Sequence, residues 1–267
     1  MWAQAAPSSQ ALWHVEFPPF RIAGNLYYVG TADLAVYLIH TPTGNILINS
    51  DYPFDLPMIR KHIGQLGFQY SDTRILLICH AHLDHDAAAG EIQRETGAHL
   101  MVMDADVAQV ESSPPAGAGA HVDRILHDGD TVQLGGEALV AHLTPGHTPG
   151  CTTWTMKVLE GGRKLDAVII GSPNVNPGYI LVGNKDYPNI AEDYVKTFAI
   201  LRGLPVDLFL GAHGSYFGLQ EKFNKLKSGS GNPFIDPAGY HAYVSQKEAD
   251  FRKEWERQKQ NPGSPAP

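Results

Sequence analysis

The residues best suited to chemistry lie in one short stretch, His80-Ala81-His82-Leu83-Asp84-His85. Four side chains able to ligate a metal fall within six positions. Neutral imidazole nitrogens and a carboxylate are the donors that zinc takes. The stretch follows the apolar run Ile75 to Cys79, which reads as a buried strand. In an extended chain residues i and i+2 point the same way, so His80 and His82 present two imidazoles to one side. Asp84 and His85 come where the chain turns toward a helix, and they serve a second position nearby. A lone histidine is more often a surface or core residue than a ligand. Four candidate ligands at one strand end are poorly explained that way.

Two further histidines have comparable settings. His147 lies in Thr144-Pro145-Gly146-His147-Thr148-Pro149-Gly150, after the apolar run Ala138 to Leu143. His213 lies in Gly211-Ala212-His213-Gly214, after Val206 to Leu210. Glycines beside each let the backbone turn sharply and approach a metal closely. Each is weak alone; with the first cluster they are strong. The other histidines read as surface or core residues. Among them only His121, beside the loop Ser112 to Ala120, is a candidate for substrate contact.

The elements that must position these residues are short. Strand-like runs are expected at Leu26 to Val29, Leu34 to His40, Asn45 to Asn49, Arg74 to Cys79 and Leu100 to Met103. They resume at Thr131 to Leu134, Ala138 to Leu143, Thr152 to Val158, Ala167 to Ile170 and Val206 to Leu210. Helical spacing marks Asp55 to Leu66, ended by Gly67. Further helices are expected over Asp86 to Thr96, from a cap at Asp104 to about Glu111, over Ile190 to Arg202 and over Tyr240 to Gln258. Two sets of strands, each followed by helices, suggest two sheets covered by helices. Periodicity alone leaves a single mixed sheet open.

Composition narrows the function classes. Hydrophobic residues make up 43% and charged residues 18%, which supports a large packed core. The formal net charge of -8, without a basic run outside the mixed C-terminal stretch Arg252 to Lys259, argues against nucleic acid. No apolar stretch approaches the roughly 20 residues of a membrane helix. The opening Ala3 to Ser8 reads either as the small-residue remnant of an export signal or as a plain flexible N-terminus. The two cysteines, Cys79 and Cys151, are too few for a disulfide scaffold and are read as buried free thiols.

In order and spacing, His-x-His-x-Asp-His, then Pro-Gly-His-Thr, then Gly-x-His resembles the metallo-β-lactamase superfamily, from about Leu26 to the final helix. The resemblance implies an α/β fold, the αββα sandwich of two mixed β-sheets flanked by helices, with metals at the edge between the sheets. Relatives of the glyoxalase II, lactonase and nuclease type carry a metal-bridging Asp where this chain has Ser172, in Gly171-Ser172. Subclass B3 metallo-β-lactamases instead resemble the chain there, and in using His85 rather than a cysteine. Cys151 to Trp154, Asn176-Pro177-Gly178-Tyr179, Asn189 to Tyr194 and Asn232 to Pro237 are also similar to that subclass. Three features depart from it: Asn49 in place of a common Asp, Asp86 with Ala87 to Ala89 after the last ligand, and a short loop Ser112 to Ala120.

The resemblance implies two Zn2+ ions, one on His80, His82 and His147 and the other on Asp84, His85 and His213. It implies hydrolysis of penicillins, cephalosporins and carbapenems by a metal-bridged hydroxide, with antibiotic resistance as the consequence. Asp84 would position the nucleophile or carry a proton, Tyr179 would donate to the oxyanion, and Ser172, Asn176 and Tyr179 would contact substrate. A periplasmic monomer is expected, acting on a small molecule without a nucleic-acid or membrane partner. Residues 1–20 are expected as a flexible segment at the active-site rim, with Trp13 among them, 21–260 as one catalytic domain and 261–267 as a disordered tail. The alternatives are a dinuclear zinc hydrolase for lactones, thioesters or phosphoesters, and a non-catalytic zinc-binding domain.

Overall fold

A computed structural model describes residues 9–112, 119–229 and 231–267. The first sheet has seven strands in sequence order: β1 (Phe20–Ala23), β2 (Leu26–Tyr28), β3 (Tyr37–Thr41), β4 (Gly44–Ile48), β5 (Thr73–Leu77), β6 (His99–Met103) and β7 (Arg124–Leu126). The second has five: β8 (Thr131–Leu134), β9 (Glu137–Leu143), β10 (Thr152–Glu160), β11 (Arg163–Ile170) and β12 (Leu208–Gly211). Helices α1 (Leu56–Gln65), α2 (Leu83–Asp86), α3 (Ala89–Thr96) and α4 (Val107–Ser112) fall between strands of the first sheet. Helices α5 (Ile190–Gly203), α6 (Gly214–Phe217), α7 (Leu219–Lys227) and α8 (Pro237–Gln260) come late in the chain.

Alternation along the strands builds the layers. Ile46 and Ile48 of β4, and Ile75 and Leu77 of β5, enter the core shared with the second sheet. Leu47 and Leu76, pointing the other way, pack with Leu56, Ile59 and Ile63 of α1 and Ile92 of α3. Tyr194, Phe198 and Leu201 of α5 join Tyr240, Val244 and Phe251 of α8 in the larger core. The result is the expected αββα sandwich, and each sheet mixes parallel and antiparallel pairs. No described helix is long and apolar enough to cross a membrane.

Register explains why the candidate ligands meet. Strands β4 and β5 are parallel, so Asn49 and His80 leave the first sheet at one edge. In the second sheet β9, β11 and β12 share one direction, because β10 is antiparallel to both β9 and β11 and β12 is parallel to β11. The segments carrying His147, Ser172 and His213 therefore leave at a common edge. Backbone bonds join the two edges: Thr152 N donates to the Cys79 carbonyl at 2.7 Å, and Ala35 N to the Ala212 carbonyl at 3.0 Å. Leu34 and His213 form a bridge pair between the sheets.

Several expectations need correction. The helix expected over Asp86 to Thr96 is two, α2 and α3. The Ala88 N–H donates to the Asp51 carbonyl at 3.0 Å and approaches the Ser50 hydroxyl at 3.2 Å, which interrupts the helical ladder. Asp104 caps no helix; a 3-10 turn, Asp104–Asp106, precedes α4, and the carboxylate that matters there is Asp106. Strands β1 and β7 and helices α6 and α7 had no sequence-level counterpart. The stretch 261–267, expected as a disordered tail, folds back and is hydrogen-bonded at Gly263 and Ala266. Residues 1–8 and 113–118, which hold the export-signal reading and most of the short loop, lie outside the described residues.

Trp154 is among the largest fully buried side chains, at 1% exposure between the sheets. Trp154→Ala is expected to cost about 3–5 kcal/mol. Urea unfolding followed by circular dichroism checks this, and an unchanged midpoint would contradict the packing account.

Candidate metal centre

The first triad comes from two strand ends. His80 and His82 follow β5, and His147 sits in the connection from β9 to β10. Their ligand nitrogens all lie within 4.8 Å of one another, and His80 stands equally near Asp84 and His85. The second triad is tighter. The Nε2 atoms of His85 and His213 are 3.2 Å apart, and Asp84 Oδ2 lies 3.4 and 3.5 Å from them. A tetrahedral zinc with metal–nitrogen distances near 2.05 Å spaces its ligands about 3.3 Å apart. The three atoms thus fit one face of such a site.

Protonation states fit as well. Burial holds His80 well below the ordinary imidazole range, with His85, His147 and His82 adding to the shift. Burial likewise takes His85 and His147 down to about 3. These rings are neutral and offer lone pairs, as metal ligation requires. Neither ring nitrogen of His80 has a protein partner, although both are buried. Burial acts against ionised Asp84, but His85 and His213 outweigh it and hold the carboxyl well below its usual range. Burial also disfavours a charge on His213; hydrogen bonds to Asp33 and Asp84 reverse that and raise it to about 9. Two carboxylates therefore favour positive charge at this point, which a metal ion would supply in place of a proton.

Neighbouring groups fix the ring orientations. His213 Nδ1 is 3.0 Å from Asp33 Oδ2, while Asp33 Oδ1 accepts from Ser215 N at 2.8 Å. His147 Nδ1 donates to the Asn174 carbonyl at 2.8 Å, which leaves Nε2 facing the site. Asp106, buried at 2%, joins the two loops of the first triad. It accepts from Ala81 N at 2.9 Å, Thr148 Oγ1 at 2.7 Å and Gly150 N at 2.7 Å. A Cβ on Gly150 would lie 2.6 Å from Asp106 N, so only glycine fits there. Gly146, at φ +127°, packs on the Tyr194 ring of α5, and Thr197 donates to the Pro145 carbonyl at 2.6 Å.

Asn49 and Asp51 are the described non-glycine residues with positive φ, at 67° and 60°. Asn49 accepts from Cys79 N at 2.9 Å and donates to the Ala35 carbonyl at 3.1 Å. An amide serves both contacts, whereas an ionised Asp could only accept. That accounts for Asn49 at the base of the metal loop. Asp86 is buried at the end of α2. Cys79 and Cys151 are buried, and burial pushes both thiols up, Cys79 to about 12. Neither belongs to a metal-sized group of ligand atoms, in keeping with their reading as packing residues.

A cleft of about 650 Å3 opens over His82, Asp84, His147 and His213. One wall is Gln10, Trp13 and Tyr52; the other is Asn174, Asn176 and Pro177. Trp13 lies with its ring centroid 5.8 Å from that of His213. Asn176 is among the residues that line the cleft. Ser172 is not: it is 1% exposed, does not line the cleft, and its hydroxyl lies 3.1 Å from Tyr216 Oη. Tyr216 and Ser215 reach the cleft instead. Tyr179 donates its hydroxyl to the His147 carbonyl at 2.7 Å, so the free oxyanion donor expected there is engaged. His121 pairs with Glu111 and does not line the cleft.

Sequence reasoning missed Asp33, Asp106 and Tyr216. Asp106 carried a faint signal, a second acidic residue two positions after the one read as a cap. Asp33 and Tyr216 carried none, since each acts only through a distant partner.

Residues 34–213 match the family described as the metallo-beta-lactamase superfamily. Among solved structures, the native FEZ-1 metallo-β-lactamase of Legionella gormanii is 52% identical, with a TM-score of 0.88 over 92% of this chain and 98% of that one. The subclass B3 metallo-β-lactamase BJP-1 of Bradyrhizobium japonicum is 37% identical, with a TM-score of 0.87 over 94% and 98%. A probable metallo-hydrolase of Burkholderia pseudomallei is 37% identical over 93 residues, 32% of this chain and 31% of that protein. The matches to it and to several hydroxyacylglutathione hydrolases span less than two thirds of those proteins' own length.

Asp33→Asn removes the carboxylate that orients His213. Affinity at the second metal position is expected to fall about 10–100-fold. Competition with a chromophoric chelator measures it, and two unaltered sites would remove Asp33 from this role.

Proposed function

The chain belongs to the metallo-β-lactamase superfamily and within it to the subclass B3 metallo-β-lactamases, and we propose that it hydrolyses the amide bond of β-lactam antibiotics with two zinc ions. The observation that carries this is the donor set where the two sheets meet: five buried or half-buried imidazoles and one carboxylate, enough for three donors to each of two ions. Three protein ligands per ion leave a coordination position open, the pattern of catalytic rather than structural zinc. His80, His82 and His147 would hold the first ion, and Asp84, His85 and His213 the second. Bound zinc supplies Lewis acidity, which polarises a carbonyl and lowers the pKa of water toward neutrality.

The chain's own groups do the rest. Asp84, ionised beside His85 and His213, orients the attacking water by accepting a hydrogen bond from it. Asn174, Asn176 and Tyr216 offer hydrogen bonds to the substrate carboxylate along one side of the cleft. Trp13 and Tyr52 offer apolar faces to the ring and its substituents on the other. Tyr179 acts first as a strut, because its donated proton fixes the His147 loop. It reaches a developing oxyanion only by turning its hydroxyl off the His147 carbonyl. Ser172 acts through Tyr216. The reading includes breadth toward carbapenems, a role in antibiotic resistance, a periplasmic location and a monomeric state, which rest on the family resemblance.

Hydrolysis of a thioester is the competing reading, favoured by the names of the hydroxyacylglutathione hydrolase relatives. The buried, uncharged Ser172, where such enzymes would want a bridging carboxylate, weighs against it.

Hydrolysis of a carbapenem and a cephalosporin by the purified protein tests the proposal. Turnover is expected to vanish with a chelator and return with zinc. A folded, zinc-loaded protein that opens neither ring but cleaves a glutathione thioester would replace this reading with the other. Within the leading reading, Trp13→Ala removes an apolar wall worth about 1.5 kcal/mol. KM is then expected to rise about tenfold with kcat nearly unchanged. Steady-state kinetics decides this, and an equal fall in kcat would instead place Trp13 in the chemical step.

A further inference from the structure

The segment between β11 and α5 contains neither strand nor helix, yet it supplies one wall of the cleft. Such a segment must meet its backbone hydrogen-bonding needs from outside itself. The last helix and the chain beyond it meet many of them. Gln258 of α8, fully buried, accepts from Leu181 N at 2.6 Å and donates to the Tyr179 carbonyl at 3.0 Å. After α8 the chain turns at Gly263, where φ is +80°, and Gly263 N donates to the Val182 carbonyl at 3.1 Å. Ala266 N then donates to the Tyr179 carbonyl at 2.8 Å, while Gly178 N donates to the Ala266 carbonyl at 2.8 Å. Ala266 is buried against this loop. Arg257, bidentate on Glu254, secures the returning chain by donating to the Pro265 carbonyl at 2.6 Å and Ser264 Oγ at 3.2 Å.

We propose that residues 263–266 and Gln258 form a clamp that positions the substrate-facing loop 174–182 against the metal ligands. Tyr179 is the coupling point. Its carbonyl takes hydrogen bonds from both parts of the clamp, and its hydroxyl holds the His147 loop. Asn176 lies one hydrogen bond away, since Tyr179 N donates to its carbonyl at 3.1 Å. Pro262, just before the segment, and Pro265, within it, restrict the free chain and so lower the entropy lost on docking. Ala266 and Gln258 touch no substrate in this account; they are positioning residues. The kinetic consequence rests on the β-lactamase reading, whereas the structural one does not.

Two variants of the full protein test the clamp: one ending at Asn261, and Ala266→Pro, which replaces the donor to Tyr179 with a ring carbon and so breaks that contact. Amide hydrogen exchange, zinc content and cephalosporin kinetics are measured on each. Exchange across 174–182 is expected to rise at least about fivefold, the effect of losing one or two net hydrogen bonds, with α5 unaffected. Zinc content should stay at the wild-type level, and KM should rise more than kcat falls. Unchanged exchange in both variants would overturn the clamp. So would loss of zinc together with an equal loss of kcat, because that marks a general structural role. If the wild-type protein opens no β-lactam, the functional reading fails, and the exchange result alone decides the clamp.

Discussion

Two imidazole nitrogens lie 3.2 Å apart, with a carboxylate oxygen 3.4 and 3.5 Å from them, at the buried floor of the cleft. Lone pairs so close repel unless a cation or a proton lies among them. Much of the surrounding architecture serves to hold this arrangement. Asp33 and the Asn174 carbonyl occupy the outward nitrogens of His213 and His147 and so fix which atom faces inward. Burial keeps the other rings neutral, and the paired carboxylates favour positive charge at the centre. The site is a set of closely spaced donors that a metal ion would bring together.

That crowding is possible because the ligands ride on strand ends and not on free loops. Parallel pairing in the first sheet, and the shared direction of β9, β11 and β12 in the second, bring every ligand segment to one edge. Backbone bonds across that edge leave little freedom to spread apart. Asp106 then links the two loops of the first triad with three hydrogen bonds. Among the described non-glycine residues, positive φ is found at Asn49 and Asp51, with Asn49 bonded to the Cys79 backbone beneath the His80 loop.

The cleft walls obey looser rules. Both come from segments without strands or long helices, one near the N-terminus and the other between β11 and α5. The first lies over His213 through Trp13; the second is tied down from behind by the end of the chain. Rigid ligands and separately braced walls allow substrate preference to vary while the chemistry stays fixed.

The sequence by itself determined the candidate ligands and most of the strands, and it suggested two covered sheets without excluding a single mixed one. Four donors in six residues at a strand end are a local pattern, and alternation along β4 and β5 reports local geometry too. Only the tertiary structure decided what each site residue leans on. Asp33 reaches His213 across 180 positions, Ser172 turns to Tyr216 across 44, and Tyr179 is held by Gln258 and Ala266. Such contacts leave no periodicity in the chain. The break at Ala88 and the docking of 261–267 escaped for the same reason, since each depends on a partner that folding alone brings near. Spacing encodes what one element does with its own neighbours; hydrogen bonds between elements are fixed only once the sheets have closed on each other.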